Sequence, residues 1–115
     1  MSAAQPCTHA ELLDLADRLV RVAEGEDPAT VEAAALQLLA AFVEHSLAEQ
    51  PDLARLPAET SRMLARGQQR VIERLVEVLV ATAVQDGCSC QAIAHEVSDQ
   101  LTLQVVDELD EQVGR

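Results

Sequence analysis

Four stretches of this chain repeat apolar residues at spacings of three and four, and Pro or Gly punctuates the gaps between them. That period belongs to helices with one buried face, and it constrains the fold more than any other feature. In the first stretch Leu12, Leu15, Ala16, Leu19, Val22 and Ala23 form a stripe, with Asp14, Asp17, Arg18 and Arg21 turned away from it. Thr8 with Glu11 three residues on is a capping box, so the helix starts there and runs to about Glu24, with Gly25 as its C-terminal cap. Asp27-Pro28 reads as an N-cap followed by proline at the first helical position. The second helix runs from there to about Gln50, with Val31, Ala34, Ala35, Leu38, Leu39 and Phe42 inward, and Pro51 is expected to stop it. Residues 51–56 then form a connector, and Pro57 opens a third helix reaching about Gln85. Leu64, Val71, Leu75, Val78, Leu79 and Thr82 make its stripe. Asp86-Gly87 breaks the pattern, and a fourth helix follows from near Ser89 to about Val113, with Ile93, Ala94, Val97, Leu101 and Val105 inward.

Short connections make consecutive helices antiparallel neighbours. The expectation is an all-α protein, a single up-down-up-down four-helix bundle spanning residues 1–115, with 1–7 as a flexible N-terminus. Composition agrees. Hydrophobic residues make up 49% of the chain, yet Phe42 is its only aromatic residue. Leu, Val and Ala suit helix-on-helix packing better than a sheet. The formal net charge is −12, with arginine as the only strong base. Nucleic acid and anionic membranes select positive charge, so neither is an expected partner. No run of roughly 18 uninterrupted apolar residues is present, and Met1 to Thr8 lacks the features of a signal peptide. A cytoplasmic location is the expectation, with Cys7, Cys88 and Cys90 as thiols.

Several polar side chains break the apolar faces. At roughly 100° per residue, His45 and Glu49 continue the Val31–Phe42 stripe of the second helix. Gln104 and Glu108 fall among the inward residues of the fourth, Gln68 lies beside Leu64 and Val71, and His9 flanks the first stripe. The starts of helices one and three share an end of such a bundle with the finishes of two and four, so all six residues fall toward one end. Burying an imidazole or a carboxylate without partners is expensive. Two imidazoles and two carboxylates on facing helices suit iron, manganese or zinc. A buried hydrogen-bond network, with the two glutamines bridging charged groups, is the alternative.

The pattern of His9 followed by Leu12 and Ala16, His45-x-x-x-Glu49, the connector Gln50-Pro51-Asp52-Leu53-Ala54-Arg55-Leu56-Pro57, and Gln104-x-x-x-Glu108 resembles the hemerythrin-like (HHE) cation-binding domain, over about His9 to Gln112. The resemblance implies a four-helix bundle with a non-haem iron centre held by His and carboxylate side chains. Such domains are associated with binding or sensing oxygen or nitric oxide. It implies His9, His45, Glu49 and Glu108 as metal ligands, with Glu49 the carboxylate of the bridging kind. The sequence departs from the family at Gln68 and Gln104, where histidine is expected, and Ile72 one turn on offers no ligand. A carboxamide oxygen is a weaker ligand than imidazole, which makes the two glutamines weak ligands or neighbours of the ligands. The implied site holds one ion or two. The alternative is a metal-free bundle of the same shape that acts as a protein-interaction or dimerisation module.

Cys88-Ser89-Cys90 falls in the turn before helix four, at the opposite end from these residues, as two turn thiols or a redox-responsive pair whose pKa a helix N-terminus could lower. Cys7 is the only thiol at the polar end. His95 faces solvent. Arg62, Arg66, Arg70 and Arg74 form a ladder at four-residue spacing, expected to pair with carboxylates such as Glu73 and Glu77. No catalytic triad or phosphate loop is present, Ser46 and His45 diverge on their helix, and no substrate is indicated.

Overall fold

The computed structural model describes residues 8–25 and 27–113; the expectations for residues 1–7, including the position of Cys7, lie outside the described residues. Four helices account for nearly all of the described chain: α1 (His9–Ala23), α2 (Pro28–Leu53), α3 (Ala58–Ala83) and α4 (Gly87–Val113). α1 packs on α2 and α4, and α3 packs on α2 and α4, the arrangement of a four-helix bundle in which sequence neighbours are also spatial neighbours.

Local chemistry fixes most of the helix starts. Thr8 Oγ1 accepts the Glu11 amide hydrogen at 3.2 Å, which caps α1. Asp27 Oδ1 accepts from the Thr30 amide at 2.8 Å and caps α2, with Pro28 just inside. Asp86 caps α4 through the Ser89 amide at 3.1 Å and the Ser89 hydroxyl at 2.7 Å. The fourth helix therefore begins at Gly87, two residues earlier than expected, and Cys88 and Cys90 lie in its first turn rather than in the loop. Pro57 sits at the N-cap of α3, outside the helix, and supplies no side-chain cap.

Helix ends depart more from the sequence pattern. Pro51 does not stop α2, which continues to Leu53. A proline removes one amide donor and crowds the carbonyl four residues back, but in the last turn the helix loses only that one bond. The extra turn brings Leu53 to 9% exposure, and the Ala54 amide still reaches the Gln50 carbonyl at 3.0 Å. Gly25 does not serve as a left-handed cap, since no described glycine has positive φ. The left-handed cap occurs instead at Gln85, with φ of 57°. Its amide donates to the Thr82 carbonyl at 3.1 Å and that of Asp86 to the Ala81 carbonyl at 2.9 Å, the paired bonds of a Schellman motif.

The inward stripes meet in one core, with Leu12, Leu19, Leu38, Phe42, Leu75, Val97 and Leu101 essentially sealed from solvent. Leu53 and Leu64 are buried but lie apart from that cluster, one turn past Glu49 and one turn before Gln68. A polar layer separates them from the rest. α2 is long and apolar enough to cross a membrane by length and composition, with a mean hydropathy of 1.3 over its best window, and 44% of that window is buried within the bundle.

α1 is much the shortest helix, with 15 residues against 26 in α2 and in α3. His9 is its first residue, whereas α2 continues about two turns past His45. The polar layer therefore lies where the fourth wall of the bundle begins, not at the extreme tip.

Candidate metal centre

Three helices deliver the four candidate ligands. α1 supplies His9 from its first turn, α2 supplies His45 and Glu49 from one face a turn apart, and α4 supplies Glu108. One ligand atom from each of the four lies within 4.8 Å of the others, a group that could hold a metal ion. The His9 Nε2 atom lies 3.0 Å from Glu108 Oε1 and 3.7 Å from Glu49 Oε2. The His45 Nε2 atom lies 3.1 Å from Glu49 Oε2 and 3.6 Å from Glu108 Oε1. The two rings meet edge to face, with centroids 4.8 Å apart. Ligands held about 2.0–2.1 Å from a tetrahedral ion lie roughly 3.3 Å from one another, so the four nitrogen–oxygen separations bracket what one ion requires.

The glutamines stand behind the carboxylates. Gln104 donates through Nε2 to Glu108 Oε2 at 2.8 Å and to the Leu64 carbonyl at 3.0 Å. Gln68 donates to Glu49 Oε1 at 3.4 Å. All six residues expected on inward faces thus adjoin one another. Among the four candidate ligands burial is deepest at Glu108, whose side chain is 4% exposed, and least at His9, at 20%, so the layer reaches solvent on the α1 side.

Electrostatics splits the two carboxyls. Burial pushes Glu49 above the ordinary carboxyl range, and the nearby Glu108 adds to the push against the opposing His45 hydrogen bond. Burial acts in the same direction on Glu108, but hydrogen bonds from His45, Glu49, Gln104 and His9 together outweigh it and bring Glu108 down to about 2. One carboxylate stays charged while its neighbour holds a proton more tightly.

One contributor escaped the sequence reading. Gly67 sits on α3 where a Cβ would collide with the Gln104 amide oxygen. The signal available was a glycine inside a run of helix formers, next to the inward-facing Gln68. Ser46, which follows His45 in sequence, is also buried, and its hydroxyl has no hydrogen-bond partner among the described residues.

The other candidates fall elsewhere. Some fourteen residues of α4, roughly 20 Å, separate Cys90 from Gln104. Cys90 is buried, and burial together with the Asp86 charge pushes its thiol up rather than down, contrary to the expected activation. Cys88 is exposed. His95 is solvent-facing and 3.9 Å from Glu24. Of the arginine ladder only Arg74 makes the expected ion pairs among the described residues, with Glu77 at 2.7 Å and Glu96 at 3.3 Å.

A four-helix bundle with a buried two-histidine, two-carboxylate cluster is the class these observations define. No family model, curated protein or solved structure matches the chain.

Proposed function

We propose that this chain is a metal-binding four-helix bundle whose ion is iron, held by His9, His45, Glu49 and Glu108. The observation that carries the reading is the convergence of four ligand atoms from three helices within 4.8 Å, in a layer otherwise surrounded by apolar core. Two imidazoles with two carboxylates form a donor set of intermediate softness that suits iron, manganese and zinc. The resemblance of His9, His45-x-x-x-Glu49 and Glu108 to the hemerythrin-like pattern favours iron among these, and favours binding or sensing of oxygen or nitric oxide as its use. The bound ion would supply the redox and diatomic-binding chemistry. The protein would supply the ligands, the hydrogen bonds that aim them, and exclusion of water by Leu53 and Leu64 on one side and by the main core on the other.

A metal-free bundle that acts through protein contacts is the second reading. The observation favouring it is that each carboxylate already has an imidazole and a carboxamide against it, so the layer is satisfied without an ion. Elemental analysis of protein from iron-supplemented culture separates the two. The first reading expects iron in the wild type and its loss in His45→Ala; the second expects no metal in either.

A further inference from the structure

The two glutamines make a tighter statement possible about the same cluster, resting on the metal-binding reading. Each carboxylate has two oxygens, and the structure assigns them different tasks. Oε1 of Glu108 and Oε2 of Glu49 face the imidazoles, at 3.0 Å from His9 and 3.1 Å from His45 respectively. The other oxygen of each faces a carboxamide: Glu108 Oε2 accepts from Gln104 at 2.8 Å, and Glu49 Oε1 accepts from Gln68 at 3.4 Å.

The orientation of Gln104 is forced by its surroundings. Both groups next to its nitrogen, the Leu64 carbonyl and the Glu108 carboxylate, are acceptors, so only the NH2 end can face them. Its oxygen turns instead toward α3, into the space left by Gly67. A carboxamide N–H pointed at a carboxylate oxygen takes up one of the lone pairs through which that oxygen could bind a second cation. Paired metal centres place their ions about 3.5–4 Å apart and use both oxygens of shared carboxylates. Here each of those outer oxygens is engaged by a carboxamide, and α3 and α4 bring Gln68 and Gln104 rather than imidazoles beside them.

We propose that Gln68 and Gln104 are positioning residues that make this a one-ion site, with Glu49 and Glu108 each binding through a single oxygen. The glutamines hold the carboxylates in that attitude and never touch the ion. Neutral carboxamides also leave the layer with no more negative charge than two carboxylates, which suits one divalent cation held with two neutral imidazoles.

The test titrates the purified full-length chain with Zn2+ and with Co2+. Calorimetry and elemental analysis read the stoichiometry, and the visible spectrum of bound Co2+ reads coordination geometry. Wild type is expected to bind a single ion per chain. Gln104→Met and the milder Gln68→Met keep approximate volume and remove the donor. Each is expected to weaken binding about 10- to 100-fold and to shift the Co2+ band, a change that lost stability alone would not produce. Circular dichroism establishes that each variant is folded, and Gln68→Met carries the test if Gln104→Met is not. Two ions per wild-type chain would overturn the one-ion assignment and leave metal binding standing. A single ion with unchanged affinity and spectrum in the folded variants would overturn the role of the glutamines. No bound ion in the folded wild type would remove both this assignment and the metal-binding reading beneath it.

Discussion

Gly67 matters through the space it leaves. Glycine in a helix interior is ordinarily worse than alanine by about 0.5–1 kcal/mol. Here an added Cβ would drive into the Gln104 amide, which holds both Glu108 and the Leu64 carbonyl. Gly67→Ala is therefore expected to destabilise the bundle by roughly 1–3 kcal/mol despite its better helix propensity. In combination with Gln104→Ala the loss should be less than additive, as denaturant melts of the three variants would report. Ser46 predicts the opposite sign. Its buried hydroxyl lacks a partner among the described residues, so Ser46→Ala should be neutral or stabilising, by up to about 1 kcal/mol. The split carboxyls give a pH signature in the metal-free protein. Glu108 is depressed to about 2, so its contribution is full above the unfolded value and declines as pH falls through that range. Glu49 is raised, so its ionisation destabilises the fold as pH climbs through its folded value. Relative to wild type, Glu108→Gln should thus be least damaging at low pH, and Glu49→Gln should gain as pH rises. Parallel stability profiles of the two variants would contradict this assignment.

At the scale of helices, the apolar stripes were legible because burial and period agree at nearly every position. Every stripe residue expected in α2, from Val31 to Phe42, is buried or half-buried. Helix starts at Thr8 and Asp27 were legible for a related reason, since a side-chain acceptor close to its own amide is a local event. The ends were not. Whether Pro51 terminates α2 depends on the burial that Leu53 gains beyond it, which no local rule contains. Likewise Gly25 offered α1 the usual left-handed cap and did not take that conformation, whereas Gln85 adopts it at the end of α3, immediately before the Asp86 cap of α4. A glutamine at φ of 57° is strained where glycine is not. Gln85→Gly should accordingly stabilise the protein by about 0.5–1 kcal/mol, a rise of a few degrees in Tm. An unchanged or lower Tm would mean that the Gln85 side chain contributes something that outweighs the backbone.

For the molecule as a whole, the cluster was visible as six inward polar residues at one end, while its internal arrangement was not. Helical periodicity says which way a side chain leaves its helix, but not which oxygen of Glu108 meets His9 and which meets Gln104. Those choices follow from the approach of α3 to α4 at Gly67 and from the late start of α1 at His9. Charge also acts at this scale. With a net charge of −12 the chain repels itself, so moderate salt should raise its stability without altering its helices. An ion in the polar layer would add stability by mass action, about 2.7 kcal/mol at a free concentration a hundred times Kd. The most direct measurement is the metal content of freshly purified protein, wild type beside His45→Ala. The cluster predicts about one ion per wild-type chain and a large loss in the variant, since metal binding needs the preformed ligand set. Less than about a tenth of an ion per chain in both, from cells supplied with iron, would show that the polar layer is a hydrogen-bonded network only.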